Sequence, residues 1–221
     1  CAYITENTID NNHIISSNEG SSVGLAIGYH LSTDKIPIVY MQNSGLGNII
    51  NPILSLADKK VYSIPMLLLI GWRGEPNVKD EPQHIKQGEI TLDMLNTMGI
   101  DYEILPEKNE LIEDTLFRLV SKIKQNSSPA ALIIRKGTFS NYELNDNNSK
   151  FEMNREDAIK IILHNLPNNS AVVSTTGKTS REVYEFRVNN NDNKNVDFLT
   201  VGGMGHCNQI ALGIAMQKPE K

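Results

Sequence analysis

Residues Met66–Ile70 read MLLLI, and GWRGEPNVKDEPQH, residues Gly71–His84, follows directly. The first run is apolar without alternation, which is typical of a parallel strand that is buried on both faces. The second run begins a polar segment that we extend to Gln87, and it shows no hydrophobic periodicity. A long polar loop behind a buried strand is unusual, and such loops are often functional. This junction therefore predicts an α/β sheet with a site at the carboxyl end of a strand.

Strand and helix signals alternate along the rest of the chain, which predicts mainly parallel sheets flanked by helices. Further strands are predicted at 13–16, 38–41, 131–134, 171–174 and 198–201, and helices at 19–31, 46–56, 90–98, 110–124, 154–166, 179–187 and 207–216. A stretch rich in Asn, Asp and Ser near 140–150 indicates a linker. We expect one domain over residues 1–140, a linker over 141–153, and the truncated start of a second domain over 154–221. Because the chain opens on Cys1, we also expect that the native N-terminus is missing.

Composition excludes several classes of protein. The chain has 221 residues and a net charge of −5, and no cluster of Lys and Arg offers a basic face to nucleic acid. Its longest apolar run, Ile64–Trp72, is interrupted by Pro65, whereas a membrane helix needs about 20 apolar residues. The two cysteines, Cys1 and Cys207, form no metal-binding pattern. We expect a cytoplasmic protein that binds neither nucleic acid nor membranes.

Two glycine-rich junctions near the start of the chain are candidate sites. Glu19 lies where a predicted strand turns into the helix 19–31. The spacing alone favours an acid that complements the helix dipole, although the glycines of this helix also permit close approach of a ligand. The second junction is Asn43–Gly47, after the strand 38–41. It lacks the third glycine of a dinucleotide-binding fingerprint, so it indicates a tight turn or a group of exposed amides that holds a polar ligand.

The polar loop carries the densest set of cations near a predicted strand end. His84 is either a solvated loop histidine or, if the loop is a mobile lid, a proton donor. In the second case Arg73, Lys79 and Lys86 are the cations that would meet an anionic substrate.

Two turns in the second block are also candidates. Thr176 and Gly177 precede a helix, but Val172 stands where a P-loop requires glycine, which excludes a P-loop ATPase. An anion at the helix N-terminus remains an alternative. Glycines surround Met204 in the segment 202–205. They indicate a backbone pressed against a flat or bulky group, or a packing turn with Met204 in the core.

Five segments carry a family resemblance. They are NEGSSVGLAIGYHLST (18–33), MQNSGLGN (41–48), GWRGEPNVKDEPQH (71–84), STTGKTSREVYE (174–185) and GGMGHCNQIALGIA (202–215). In order and spacing they resemble phosphonopyruvate decarboxylase, a family of thiamine diphosphate (ThDP) enzymes that is close to sulfopyruvate decarboxylase. The resemblance implies a ThDP-binding fold with a pyrimidine-binding domain to about residue 140, followed by a pyrophosphate-binding domain.

The resemblance also implies roles around the cofactor. Glu19 would bind N1′ of the pyrimidine and so promote loss of the proton from C2. Met204 would support the bent cofactor, and the Gly202 carbonyl would bind its amino group. We expect Thr176 and Gly177 to contact the cofactor as well. Family members continue beyond the matched region into a motif that holds Mg²⁺ and the diphosphate, so we assign no metal ligand here and expect the isolated fragment to be inactive.

For the substrate, the resemblance implies a trianionic 2-oxo acid. Asn43 would bind its oxo group or carboxylate, Arg73, Lys79 and Lys86 would neutralise its charge, and His84 would return the proton. The expected reaction converts phosphonopyruvate to phosphonoacetaldehyde and CO₂ in phosphonate biosynthesis, in a homo-oligomer with sites between subunits. Alternatives are decarboxylation of sulfopyruvate or another 2-oxo acid, and a non-catalytic α/β module that binds a ligand.

Overall fold

The chain divides into two compact units, Cys1–Leu144 and Asn145–Lys221. The computed structural model describes residues 2–8, 12–142, 151–192 and 197–220. Unit 1 contains, in chain order, α1 (Ala2–Asn7), α2 (Glu19–Thr33), β1 (Ile38–Gln42), α3 (Leu46–Pro52), β2 (Leu67–Gly71), α4 (Pro82–Thr97), β3 (Asp101–Ile104), α5 (Ile112–Asn126) and β4 (Ala130–Ile134). Short 3₁₀ turns at Asn43–Gly45 and Asn109–Leu111 precede α3 and α5, and one π-helical turn, Ile53–Ala57, extends α3.

Unit 1 is built on a four-stranded sheet in the order β1-β2-β4-β3, and all its strand pairs are parallel. The ends of three strands are in register, because Gly71 of β2 is opposite both Gln42 of β1 and Ile134 of β4. The residues that follow these strands therefore start together at one edge of the sheet, where parallel sheets bind ligands. The predicted parallel sheet flanked by helices is confirmed.

Alternate side chains of β2 enter two different cores. Leu68 and Ile70 are fully buried with side chains of α2, α3 and α4, whereas Leu67 packs on the other face with α5. Burial on both faces explains why this strand has no polar residue. The edge strand β1 is covered on one face only, since Ile38 and Tyr40 expose 65% and 53% of their surface in this unit.

Two strand predictions were wrong. The segment 13–16 forms no regular structure, and its two isoleucines are 63% and 84% exposed, because β-prone side chains form no strand without a partner. Conversely, β3 was not predicted. Its alternate residues Asp101 and Glu103 are acids that lie 3.9 and 3.6 Å from basic side chains of α5, so this edge strand has no apolar run to signal it.

The polar loop is shorter than predicted. Helix α4 begins at Pro82, because proline fits the first helical position, where its missing N–H has no helical partner. The loop is therefore residues 72–81, and we call it the β2–α4 loop. His84 and Lys86 lie on the first two turns of α4 and not in a loop.

Unit 2 contains α6 (Arg155–Asn165), β5 (Val173–Ser174), α7 (Lys178–Asn189), β6 (Phe198–Leu199) and α8 (Cys207–Gln217), and β5 pairs with β6 in parallel. The predicted cap of α6 is confirmed, since the Asn154 side chain accepts a hydrogen bond from the Asp157 N–H at 2.9 Å. Much of the predicted linker, residues 143–150, lies outside the described residues. The assignment of the two units to pyrimidine and pyrophosphate binding stays a prediction. Across the described part of the chain, no helix is both long and apolar enough to span a membrane.

Candidate active site

Glu19 is the first residue of α2, and its side chain lies against the turn that follows β1. Asn18 caps the helix by accepting a hydrogen bond from the Ser21 N–H, which fixes the point where the helix starts. One carboxylate oxygen of Glu19, Oε2, accepts a hydrogen bond of 2.7 Å from the Asn48 side chain. A Cβ on Gly45 would lie 2.5–2.7 Å from atoms of the Glu19 side chain, so a larger residue there would displace that side chain. The two predicted glycine-rich junctions thus pack side by side and form one half-buried wall.

Asn43 joins this wall to the β2–α4 loop. Its side chain is buried, and its amide donates hydrogen bonds of 2.8 Å to the Arg73 carbonyl and to the Thr91 hydroxyl. Its oxygen accepts from the Arg73 N–H at 3.1 Å. Asn43 therefore positions the backbone of Arg73, and its predicted contact with substrate stays a prediction. The turn Asn43–Gly45 contacts Glu19 at one end and Arg73 at the other.

Asp80 is the centre of the β2–α4 loop, and the sequence analysis gave it no role. Its side chain is 4% exposed. The Arg73 guanidinium donates to it from Nε at 2.8 Å and from Nη2 at 2.5 Å, and His84 Nδ1 lies 3.0 Å from Oδ1. The backbone N–H groups of Gly74 and Glu81 each donate to it at 2.8 Å. Five donors thus surround one buried carboxylate.

This arrangement changes the charge that a ligand would meet. The hydrogen bonds from Arg73, and then those from Gly74, His84 and Glu81, hold the pKa of the Asp80 carboxyl far below its usual range, although burial opposes them. The Asp80 hydrogen bond likewise raises the pKa of Arg73. Both groups are therefore charged at neutral pH, and Asp80 offsets much of the positive charge that Arg73 would offer to an anion.

The start of the β2–α4 loop is packed against α4, and the mobile lid considered above stays a prediction. The Trp72 indole N–H donates to the Gly88 carbonyl at 3.0 Å. A Cβ on Gly88 would lie 1.7 Å from the Gly74 carbonyl oxygen, and one on Gly74 would lie 2.0 Å from the His84 carbonyl oxygen. Gly74 also has a φ of +68°, which favours glycine. The loop backbone at Gly74 therefore lies directly against the α4 backbone at His84 and Gly88.

The lysines are more accessible than Arg73. Lys79 is exposed, and the Lys86 ammonium, 79% exposed, lies 3.4 Å from Glu89. Lys136, which follows β4, reaches the Lys79 carbonyl with its Nζ at 3.2 Å. Sequence reasoning missed Lys136 and its neighbour Arg135, which lies 2.9 Å from Glu75. The sequence did contain a signal for them, because both cations directly follow the predicted strand 131–134.

The predicted cofactor residues of unit 2 occupy two turns at the carboxyl ends of β5 and β6. The Ser180 hydroxyl lies 2.7 and 2.9 Å from the carbonyl oxygens of Thr175 and Thr200, and so joins the two strand ends. In these turns Gly177 has a φ of +86°, and a Cβ there would meet no atom within 4 Å. Met204 is 59% exposed in unit 2, while Gly202 and Thr176 are half-buried.

The residues present fit parts of a ThDP site. Within the described residues no protein group other than Asn48 hydrogen-bonds to the Glu19 carboxylate, so Oε1 remains available to a ligand. In unit 2 the glycines at 177, 203 and 205 all leave open space at positive φ. No group of three or more His, Cys, Asp or Glu side chains in the described ranges could hold a metal ion. The expected Mg²⁺ ligands stay a prediction.

Sequence comparisons show similarity to known ThDP enzymes and decarboxylases. Residues 1–98 match the family described as thiamine pyrophosphate enzyme, N-terminal TPP binding domain, where TPP is another name for ThDP. The chain is 30% identical to a phosphonopyruvate decarboxylase of Streptomyces viridochromogenes and 29% identical to one of Streptomyces hygroscopicus. Both matches cover 94% of this chain. It is 42% identical to the sulfopyruvate decarboxylase subunit alpha of Methanococcus maripaludis over 42% of this chain and 53% of that one.

The extent of the match differs between the chain and its relatives. The chain spans about half the length of the curated relatives it matches, 54% for both phosphonopyruvate decarboxylases. The family resemblance read from the five segments is nevertheless confirmed. Over nearly its whole length the chain is homologous to phosphonopyruvate decarboxylases, and its first 98 residues match the TPP-binding domain of thiamine pyrophosphate enzymes.

Proposed function

We propose that the protein containing this chain is a ThDP-dependent decarboxylase that converts phosphonopyruvate to phosphonoacetaldehyde and CO₂ in phosphonate biosynthesis. The observation that carries the proposal is the half-buried Glu19 carboxylate, which has one oxygen held by Asn48 and the other available. It lies at the strand edge that also carries Arg73 and His84. The similarity to phosphonopyruvate decarboxylases over 94% of the chain supports the same function.

Glu19 would bind the pyrimidine of ThDP through Oε1, while Asn48 keeps the carboxylate oriented. When bound, ThDP supplies the electron sink that a 2-oxo acid needs before it can lose CO₂. In unit 2 the Gly177 turn and the Gly202–Gly205 turn offer open backbone and the exposed Met204 side chain to a ThDP molecule. Mg²⁺ would bind with the diphosphate through ligands that we do not assign to this chain.

The reaction breaks the bond between the carboxylate and carbonyl carbons and adds a proton to the latter. His84 in its protonated form is the proposed donor of that proton, since both ring nitrogens then carry hydrogen, Nδ1 bonding to Asp80 and Nε2 being left to donate. Arg73, Lys79 and Lys86 are the proposed partners of the phosphonate and carboxylate groups. Because Asp80 offsets Arg73, the lysines supply much of the remaining positive charge.

The reaction is tested with the full-length protein, ThDP and Mg²⁺. Turnover of phosphonopyruvate with release of one CO₂ for each phosphonoacetaldehyde is expected, and it should stop when ThDP is omitted. Binding of ThDP without turnover of any 2-oxo acid would instead support the non-catalytic module. Absence of ThDP binding would contradict both readings of the site.

The choice of substrate is tested by removing one exposed cation. Lys79→Ala should lower kcat/KM for phosphonopyruvate about three- to tenfold, since an exposed charge pair contributes little more than about 1 kcal/mol. The value for pyruvate, which lacks the phosphonate, should stay unchanged. Lys60→Ala, an exposed lysine elsewhere in unit 1, is the matched control. An equal fall for both substrates would show that Lys79 does not bind the phosphonate.

Sulfopyruvate is the second candidate substrate, because the alpha subunit of a sulfopyruvate decarboxylase is 42% identical over part of the chain. It presents a sulfonate where phosphonopyruvate has a phosphonate, so a comparison of kcat/KM for the two acids decides between them. That relatives are named as subunits also supports an assembly of several chains. Light scattering of the full-length protein should therefore give a mass of at least two copies.

A further inference from the structure

We propose that Asp80 is a positioning residue for the reaction proposed above, on which this inference rests. Its buried carboxylate turns one edge of the Arg73 guanidinium and one nitrogen of the His84 imidazole toward the anionic substrate. Asp80 itself does not touch the substrate, because five protein donors already surround its two oxygens. It acts by orienting Arg73 and His84, the two side chains that would contact the substrate.

The first part of the argument is the orientation of Arg73. The guanidinium presents Nε and Nη2 to the two oxygens of Asp80 at 2.8 and 2.5 Å, a two-point contact that fixes the plane of the group. This contact leaves Nη1 on the opposite edge. In the described residues Nη1 has no protein acceptor, and the side chain is 37% exposed. Arg73 is therefore held at one edge and available at the other.

The second part is the orientation of His84. Its Nδ1 lies 3.0 Å from Asp80 Oδ1, and a carboxylate can only accept, so Nδ1 carries the hydrogen of this bond. No other protein group within the described ranges hydrogen-bonds to the imidazole. Nε2 is consequently the nitrogen that faces a ligand, and Asp80 determines which nitrogen that is.

The third part is the rigidity of Asp80. The N–H groups of Gly74 and Glu81 hold the carboxylate from the backbone, one on each oxygen. The side chain is 4% exposed, so water does not compete for these bonds. The carboxylate is fixed to the loop and to the start of α4 at the same time. The relative position of Arg73 and His84 thus depends on Asp80.

The test compares two acids of the same loop in the full-length protein. Asp80→Asn keeps the size of the side chain and removes its charge, and the half-exposed Arg73 remains hydrated. Glu75→Gln is the matched control, because Glu75 is 14% exposed and pairs with Arg135 at 2.9 Å without a hydrogen bond to Arg73 or His84. Asp80→Glu is the conservative variant, which keeps the charge on a longer side chain.

The first readout needs no substrate and is independent of the proposed function. Nitrogen NMR of histidine-labelled protein, with the His84 signals assigned by their loss in His84→Gln, reports which nitrogen carries the proton in the neutral imidazole. We expect Nδ1 in the wild type and in Glu75→Gln. In Asp80→Asn we expect the proportion of the Nε2–H form to rise, because the charged acceptor that holds the hydrogen on Nδ1 is lost. The same proportion in all three proteins would overturn the proposal.

The second readout is kinetic. Asp80→Asn should lower kcat/KM for phosphonopyruvate ten- to a hundredfold, with a fall in kcat as well as a rise in KM, while Glu75→Gln should stay within about threefold of the wild type. Equal effects of the two variants would overturn the proposal. If Asp80→Asn does not fold, Asp80→Glu decides in its place. A tenfold loss at an unchanged urea midpoint supports positioning, and unchanged kcat/KM contradicts it. Absence of activity in the wild type contradicts the proposed function alone, and the tautomer readout still decides the role of Asp80.

Discussion

Glu19 and Asp80 are two carboxylates near the same edge of the unit 1 sheet. They differ in the number of hydrogen bonds that they accept from protein groups. Asp80 accepts five hydrogen bonds and is 4% exposed, whereas the Glu19 side chain accepts one, from Asn48. A carboxylate with all its acceptor sites filled positions its neighbours and is closed to a ligand. A carboxylate with one oxygen that accepts no hydrogen bond from the protein can still bind a ligand. The comparison therefore supports the binding role proposed for Glu19 and the positioning role proposed for Asp80.

The largest expected effect is on Glu19, the carboxylate with an open oxygen. Glu19→Gln keeps the size and the contact with Gly45 but removes the negative charge that would bind the pyrimidine. We expect exchange of the C2 proton of bound ThDP to slow about 10²- to 10⁴-fold, the usual contribution of a positioned acid or base. Proton–deuterium exchange followed by NMR measures this rate. A wild-type rate in the variant would remove Glu19 from the site.

The next effect breaks the Asp80 cluster without changing a polar group. Gly88→Ala places a methyl group 1.7 Å from the Gly74 carbonyl oxygen, which forces the backbone that donates to Asp80 to move. We expect a loss of about 1–3 kcal/mol in the free energy of unfolding, as in overpacked cores. Urea unfolding measures it. Gly24→Ala on α2, where nothing lies within 4 Å, is the control and should not destabilise the fold.

A milder change displaces the Glu19 carboxylate while keeping its charge. In Gly45→Ala the new methyl group would lie 2.5–2.7 Å from the end of the Glu19 side chain, which must rotate away. We expect kcat/KM to fall about tenfold, since a misplaced group loses part of its contribution. Gly47→Ala, two residues along the same junction, has open space and should behave as the wild type. Equal activity of the two variants would show that the position of Glu19 is not critical.

The smallest effect is the acid dependence that Asp80 gives to folding. The hydrogen bonds from Arg73 and the other donors lower the pKa of Asp80 in the folded protein below its usual value, so its contribution to stability is complete well above that value and declines as the pH falls below about 4. We expect the wild type to lose more unfolding free energy than Asp80→Asn between pH 5 and pH 3. Urea titrations at these two pH values measure the difference. Parallel losses would show that Asp80 is not held as an anion in the native state.

Most of the unit 1 sheet was predictable, because its signals are local. The unbroken apolar run of β2 indicates burial on both faces. In unit 2 the cap signal of α6 is equally local, and the structure confirms it at Asn154. The strand β3 was missed because its acids pair with α5 instead of entering a core. The segment 13–16 was overpredicted because β-propensity says nothing about whether a neighbouring strand exists.

The candidate site was predictable in its residue types and unpredictable in its contacts. The rule that ligands bind at strand ends selected Asn43 and Arg73, which follow β1 and β2, whereas Glu19 follows no strand in the structure and His84 lies on α4. It could not show that the Asn43 side chain makes three hydrogen bonds to protein groups, because its partners Arg73 and Thr91 lie 30 and 48 residues away along the chain. Nor could it single out Asp80 among the acids of the loop, since burial and the number of donors are properties of the folded chain.

The sequence by itself determined the parallel α/β architecture, the family resemblance and the set of charged residues at the strand ends. Hydrophobic periodicity and glycine spacing are local features of the chain, so they can be read without coordinates. Only the tertiary structure decided which of those residues remain open to a ligand. That outcome depends on hydrogen bonds between residues far apart in the chain, such as Asn48 with Glu19, and on backbone contacts such as Gly74 with Gly88. Folding fills every acceptor of Asp80 and leaves one oxygen of Glu19 without a partner among the described residues.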